Sequence, residues 1–402
     1  MSYNHVTTDK QLAALCEELA QAEVIAFDTE FVSEHTYRSQ LCLVQICTPA
    51  GLSIIDPLKL SSLDQFWEVL AQPNHQTIVH AGREELGFSL QAVSRCPANL
   101  FDVQIAAGFV SDEFPSGYGT LLSRLLGVNT KKGETRTDWR RRPLSTQQLE
   151  YALDDVRYLI PLRDKLQTLL AKANRTQWFL AEMQAFEQEV VASRSRERWR
   201  RVSGISGLPP RSLAVARELW RWREGEAQRR DTPARFILRD DLLVELARRR
   251  TADMRQIRAV RGLERSELQR LLPKIAEHIQ LALDLPQQDW PQSERREVPQ
   301  QINVLGQFLS TALTSLCRSR ELAPALVGMA SDVRDLVAFR LGFVDGEPPA
   351  LACGWRVEVV GTLIDDLLAG KLSIRITDPL SDHPLAFESP GHAVPTPQKK
   401  SP

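Results

Sequence analysis

VIAFDTEF (24–31) decides the fold of the first half of the chain, because four apolar residues lead directly into two carboxylates. Short apolar runs of this kind, bounded by Gly or Pro, are typical of buried strands. The same pattern predicts strands at LCLVQICTP (41–49), GLSIIDP (51–57), TIVHAG (77–82) and NLFDV (99–103).

Helical patterns lie between and after these strands, in SSLDQFWEVLAQ (61–72), in REELGFSLQAV (83–93) and from Ser145 to about Ala171. Three strands with short connections, followed by strands that alternate with helices, indicate a mixed sheet covered by helices. The sequence therefore predicts an α/β domain at the N-terminus.

The second half is predicted to be all-α, because strand patterns stop after about Ser193 and apolar residues recur at helical spacing. SGISGLPP (203–210) and 284–301, rich in Gly, Pro or polar residues, are predicted linkers. LSIRITDP and PLAFE near the C-terminus are predicted to pair as a hairpin. The predicted parts are an α/β domain, a helical domain, a second helical domain and a disordered tail, at 1–200, 207–285, 300–388 and 389–402.

Composition narrows the class of protein. Of 402 residues, 43% are hydrophobic and 25% are charged, which is ordinary for a soluble globular protein. The N-terminus does not resemble a signal peptide, and no apolar run approaches the length of a membrane span. The six cysteines lack zinc-type spacing, so we predict buried thiols in a reducing cytoplasm and no membrane association. Gly117-Tyr118-Gly119 and Gly370-Lys371 are incomplete nucleotide-binding motifs, and no nucleotide cofactor is predicted.

Charge is segregated along the chain. Residues 194–270 contain 21 arginines, no lysine and 11 acidic residues, although the whole chain has a net charge of −1. An all-arginine surplus suggests an anionic partner such as nucleic acid. The arginines are interleaved with acids, so a solvated helical face is the alternative.

Two pairs of polar side chains are spaced so that both members of each pair share one face of their element. Asp28 and Glu30 stand two apart on a predicted strand and leave the same face, where they either reach solvent or bind a cation. Tyr151 and Asp155 stand four apart on a predicted helix and share a face. Glu85, at the start of another helix, is equally explained by the helix dipole.

The order of these elements resembles the DEDD exonuclease superfamily, tyrosine branch, and more closely the ribonuclease D family. The resemblance spans roughly residues 20–170 and implies an RNase H-like fold. It is carried by FDTEFVSEHTY (27–37), LVQI (43–46), IDP (55–57), HAGREEL (80–86), FDVQIAA (101–107), TRTDWRRRPL (135–144) and YALDDVRYL (151–159). Residues 209–247 resemble the helicase-and-ribonuclease-D C-terminal (HRDC) domain, and 302–370 is interpreted as a degenerate copy.

The resemblance implies a 3′→5′ exoribonuclease that releases nucleoside 5′-monophosphates, with 3′ ends of RNA, such as tRNA precursors, as substrate. Two Mg²⁺ or Mn²⁺ ions per site would be bound, with Tyr151 positioning the attacking water. The implied metal ligands are Asp28, Glu30, Glu85 and Asp155, where Glu85 replaces the aspartate usual in the family.

Further residues are predicted around this site. Asp102 matches another acid of the family that supports the ligands or the fold. RNA contacts are predicted for Phe31 and for Arg217, Arg221 and Arg223. Two other functions remain open: a catalytically weak RNA-binding adaptor, and a DNA 3′→5′ exonuclease, because an arginine-rich surface does not distinguish ribose from deoxyribose.

Overall fold

The structure is a computed structural model that describes residues 3–129, 137–264, 266–292, 299–381 and 383–389, without the side chain of residue 267. The first two residues of the TRTDWRRRPL motif, positions 293–298 of the second predicted linker and the predicted tail beyond residue 389 lie outside these ranges. In the described residues, no helix is long and apolar enough to cross a membrane.

A six-stranded mixed sheet forms the centre of the first part, in the order β1-β4-β3-β2-β5-β6. Its strands are β1 (Asn4–Val6), β2 (Val24–Val32), β3 (Gln40–Thr48), β4 (Gly51–Ile55), β5 (Gln76–Val79) and β6 (Leu100–Asp102). β3 runs antiparallel to β2 and β4, and the other pairs are parallel. The five predicted strands are confirmed. β1 was not predicted, because only one of its three residues is apolar.

Eight helices of the described chain accompany this sheet: α1 (Asp9–Leu19), α2 (Asp64–Leu70), α3 (Arg83–Val93), α4 (Val103–Gly108), α5 (Tyr118–Leu126), α6 (Thr146–Arg157), α7 (Leu159–Lys172) and α8 (Thr176–Ser195). A 3₁₀ turn spans Pro57–Lys59. The predicted helix at 145–171 is two helices, because the backbone leaves the helical region at Tyr158 (φ −107°). The α/β fold class is confirmed.

The apolar start of β2 anchors the core. Ile25, Ala26 and Phe27 are fully buried, and Phe27 packs edge-on against Phe66 and Trp67 of α2. Because β2, β5 and β6 are parallel neighbours, their carboxyl ends meet at one edge of the sheet, which is where α/β proteins place their sites.

The HRDC-like part has its own core. Its helices are α9 (Pro210–Arg229), α10 (Ala234–Ile237), α11 (Asp240–Arg249), α12 (Met254–Arg258) and α13 (Ser266–Leu283), with 3₁₀ turns at Trp199–Arg201 and Gln287–Asp289. The prediction of a linker at 203–210 is wrong in one respect. Ile205 and Leu208 are buried in this core together with Trp199, so the segment is packed rather than extended through solvent.

The third part consists of α14 (Gln300–Ser319), α15 (Pro324–Val327), α16 (Ala330–Arg340), α17 (Gly354–Val360) and α18 (Leu363–Leu368), with a 3₁₀ turn at Ala350–Ala352. The predicted hairpin is confirmed as β7 (Ser373–Ile376) paired antiparallel with β8 (Leu385–Glu388). The buried side chains of α14–α18 are continuous with the core of the first part. Trp355 stacks on Trp178 of α8 at 5.7 Å, and Arg356 forms two 2.9 Å hydrogen bonds to Glu182. This docking was not predicted.

Candidate active site

Asp28 and Glu30 lie at the carboxyl end of β2, where they pair with Gln45 and Leu43 of β3. The register shifts between Glu30 and Phe31, which marks a bulge. Bulges often redirect side chains beside active sites. The strand therefore presents its two carboxylates just before its regular pairing is interrupted, a feature that the D-x-E spacing does not indicate.

Glu85 is placed by the turn between β5 and α3. Ala81 has a φ of +57°, and a Cβ at Gly82 would lie 2.4 Å from a methyl group of Val79, so only glycine fits at position 82. The carboxylate of Asp102 accepts hydrogen bonds from the backbone N–H groups of Ala81 (3.1 Å) and Gly82 (2.9 Å). Asp102 thus holds the turn from which Glu85 projects.

The Glu85 side chain, in a residue only 5% exposed, accepts a 2.6 Å hydrogen bond from the hydroxyl of Thr29. Thr29 stands between Asp28 and Glu30, so this bond ties the start of α3 to the carboxylate pair on β2. Nothing in the D-x-E spacing indicates a role for Thr29, because its partner lies on another element.

Tyr151 and Asp155 are placed by α6, which begins at a capping box between Ser145 and Gln148. The Tyr151 hydroxyl lies close enough to the Asp155 carboxylate to lower its pKa as a hydrogen-bond donor, as expected for two side chains on one helix face. The ring of Tyr151 lies 6.2 Å from that of Trp139.

Trp139 is itself held by the neighbouring Arg142. The guanidinium of Arg142 donates to both oxygens of the buried Asp56 (2.6 and 2.7 Å) and to the carbonyls of Cys42 and Trp139. Asp56 of the IDP motif and Arg142 of the TRTDWRRRPL motif thus hold the segment beside Tyr151 in place. A single sequence offers no signal for this pairing across 86 positions.

Burial is the main reason why the pKa values of the four clustered carboxyl groups are raised. Burial raises the pKa of Asp28, and the charges of Glu85, Asp155 and Glu30 raise it further. Burial also raises the pKa of Glu30 to about 8, and those of Glu85 and Asp155 to about 7. Across the ranges that the structure describes, no arginine or lysine is hydrogen-bonded or ion-paired to any of the four. Such a cluster stabilises a bound cation.

The chemistry of these donors fits Mg²⁺ or Mn²⁺, which prefer oxygen ligands. Within the described residues, no three ligand-type side chains yet stand close enough together to hold one ion. Glu85 is turned towards Thr29 and Asp155 towards Tyr151, so ligation requires these carboxylates to rotate.

His80 does not contribute to this chemistry. Its Nε2 lies 3.0 Å from the carbonyl oxygen of Ser116, and its ring packs against Tyr118 at 5.5 Å. These contacts give His80 a structural role.

The arginines predicted to bind RNA are engaged with protein groups. Arg223 is 5% exposed and donates to Asp240 (2.6 Å) and to the carbonyl of Leu238 (3.1 Å), so that prediction is wrong: the side chain holds HRDC-like helices together. Arg221 is paired with Glu197 and Glu218, and Arg217 donates to the carbonyl of Asp289. Phe31 is half-buried against Phe88, and its contact with RNA stays a prediction.

Comparisons with known proteins agree with this geometry. The profile of the 3′-5′ exonuclease family matches residues 3–171, and that of the HRDC domain matches 212–279. Ribonuclease D of Escherichia coli K12 is 30% identical over 377 residues, covering 92% of this chain and 99% of that protein. Ribonuclease D of Jannaschia sp. CCS1 is 31% identical, covering 92% and 96%.

The crystal structure of Escherichia coli RNase D, described as an exoribonuclease involved in structured RNA processing, superposes with a TM-score of 0.81 at 28% identity, covering 92% of this chain and 99% of that one. The catalytic core of RRP6 from Trypanosoma brucei shares the fold, with a TM-score of 0.53 at 23% identity over 70% of this chain and 80% of that one. Fold and site define a 3′→5′ exonuclease. More particularly, the chain belongs to the ribonuclease D family and is a hydrolytic exoribonuclease.

Proposed function

We propose that this exoribonuclease removes one nucleotide at a time from RNA 3′ ends and releases nucleoside 5′-monophosphates. The observation that carries the proposal is the buried carboxylate cluster with Tyr151 at the edge of the sheet. Its exonuclease family depends on divalent metal ions. Two such ions, held by Asp28, Glu30, Glu85 and Asp155, would stabilise charge on the attacking and leaving oxygens of the terminal phosphodiester.

Tyr151 is proposed to orient the attacking water. Burial raises the pKa of its phenol, and the charge of Asp155 raises it further, so the hydroxyl keeps its proton at neutral pH. A protonated phenol donates one hydrogen bond and accepts others, so it fixes the direction of a water without acting as the base. Trp139 supports this role by packing beside the ring.

The substrate is proposed to be structured RNA with a 3′ extension, tRNA precursors in particular. The description of the Escherichia coli relative supports this choice. A cytoplasmic location is also proposed, because six free thiols are typical of a reducing compartment. The prediction that these thiols are buried is wrong for Cys353, which is exposed, and for Cys96, which is half-buried.

We also propose that α14–α18 are a degenerate copy of the HRDC-like helices. α14, α15 and α16 have 20, 4 and 11 residues, and α9, α10 and α11 have 20, 4 and 10. The repeated lengths support the proposal.

Digestion of matched 3′-extended RNA and DNA, in Mg²⁺ and in EDTA, tests the function when products are analysed for mononucleotides. Asp28→Asn and Asp155→Asn should remove turnover without lowering the melting temperature. Asp154→Asn is the matched control, because Asp154 neighbours Asp155 but is paired with Arg157. Turnover in excess EDTA, or by folded Asp155→Asn, contradicts the mechanism. Preferential digestion of DNA supports the DNA exonuclease, and RNA binding without turnover supports the adaptor.

A further inference from the structure

A cavity of about 500 Å³ lies where α3, α8, the loop between β2 and β3, and the segment leading into the HRDC-like helices meet. The loop is fixed to those helices, because the backbone N–H of Tyr37 donates to Asp231 (3.1 Å) and Arg235 donates to the carbonyl of Glu34 (3.0 Å). Five arginines line the space: Arg38, Arg83, Arg194, Arg198 and Arg201.

The positive charge of this arginine cavity exceeds what the protein itself neutralises. Its acids are Glu84 and Glu189, and Glu189 is paired with Arg83. Arg194 and Arg198 donate only to backbone carbonyls, which carry no net charge. Arg38 and Arg201 are exposed, and neither guanidinium has an ion-pair or hydrogen-bond partner in the described part of the chain. Gathered guanidiniums of this kind suit phosphate groups.

The arginine cavity is lined by residues next to those of the carboxylate cluster in sequence or in packing. Phe88 lines it and packs edge-on against Phe31 at 5.6 Å, and Phe31 directly follows Glu30 on β2. Glu84, at its rim, directly precedes Glu85 on α3. The arginine cavity is therefore built on α3 and the loop after β2, and α3 and β2 carry three of the four proposed metal ligands.

We propose that the arginine cavity binds backbone phosphates of the RNA strand upstream of the scissile bond. The inference rests on the proposed function, because it places the 3′ end at the carboxylates. An RNA strand that leaves the carboxylates beside the rings of Phe31 and Phe88 would pass from a negatively charged site to the positively charged arginine cavity. Arg38 and Arg201 are the residues expected to contact phosphate, since their guanidiniums are free to do so.

The test compares the KM of a dinucleotide with that of an octanucleotide RNA. In the parent, the octanucleotide should have the lower KM, because only the longer strand reaches the arginine cavity. In Arg38→Ala/Arg201→Ala this advantage should shrink by roughly tenfold, the order expected for two exposed charge contacts. The slope of log Kd against log salt for the octanucleotide should fall by about 1.4, at about 0.7 per phosphate on a single strand.

Two further variants control for folding and for charge. Arg38→Lys/Arg201→Lys should recover part of the length advantage, because lysine keeps the charge but not the bidentate geometry. Arg318→Ala removes an exposed arginine of α14 outside the cavity and should behave like the parent. Melting temperatures of all variants should agree with that of the parent.

The outcomes separate the two proposals. If the parent does not degrade RNA in Mg²⁺, the proposed function fails and this inference fails with it. If the parent degrades RNA and the alanine double variant keeps the same dinucleotide-to-octanucleotide ratio and salt slope, only the assignment of the arginine cavity is overturned.

Discussion

Substitution of Glu85 should change stability and activity in opposite directions. Burial is the largest cause of the rise in its pKa, from 4.5 to about 7, which corresponds to about 3 kcal/mol of unfavourable ionisation free energy. Above pH 7 the metal-free protein bears this cost. Glu85→Gln removes the charge and keeps the shape, so in EDTA at pH 8 it should raise the free energy of unfolding by up to about 3 kcal/mol.

In Mg²⁺ the same variant should lose kcat by on the order of 10²-fold or more, because a ligand charge beside the cations is gone. Glu85→Asp keeps the charge and restores the residue usual in the family. Its side chain is one methylene shorter, so the carboxylate lies farther from Thr29. This variant should retain activity. Urea denaturation in EDTA and single-nucleotide turnover of labelled RNA measure the two effects.

Glu84→Gln is the neighbouring control, because Glu84 is exposed and supports the first turn of α3 through the helix dipole. Its kcat should match that of the parent, and its stability should fall by about 0.3–1 kcal/mol at most. A Glu85→Gln protein with parental kcat and parental metal dependence, or with no gain in stability in EDTA, would refute the assignment of Glu85 as a ligand.

Three other predictions concern the pH dependence of stability, the hydroxyl of Tyr151 and the packing of Trp355. Raised acid pKa values, Glu30 to about 8 and Asp155 to about 7, mean that the folded protein binds more protons than the unfolded one. In EDTA the melting temperature should therefore fall from pH 5 to 8.5, and Mg²⁺ should raise it more at pH 8.5; equal effects at both pH values contradict this. Tyr151→Phe should lower kcat on the order of 10²-fold with metal affinity unchanged; parental kcat would make the tyrosine ordinary packing. Trp355→Ala should cost about 3–5 kcal/mol in the unfolding of the catalytic part, and unchanged denaturation would contradict its place in that core.

The candidate site residues that share one element could be predicted from sequence, because their spacing maps onto one strand or one helix. Side chains repeat every two residues on a strand, so Asp28 and Glu30 share a face. They repeat every 3.6 residues on a helix, so Tyr151 and Asp155 also share a face. Glu85 could be found only by resemblance, since its position after the HAG turn has an equally good explanation in the helix dipole.

Contacts between distant positions could not be predicted. Arg142 and Asp56, or Thr29 and Glu85, become partners only once the strands are ordered in the sheet. Arginines 217, 221 and 223 were chosen by charge alone, and a charge count does not reveal that acidic side chains or backbone carbonyls of the protein already engage them. The arginines that line the cavity instead come from four separate elements.

The docking of the last helices on α8 has a consequence for the order in which the protein is made. The ribosome releases the candidate site residues before Trp355 and Arg356 of α17, which complete the shared core by packing on Trp178 and Glu182 of α8. A nascent chain stopped after the HRDC-like helices would leave an apolar face of α8 open to water. The nuclease therefore reaches its mature stability only after α17 has been synthesised and has docked on α8.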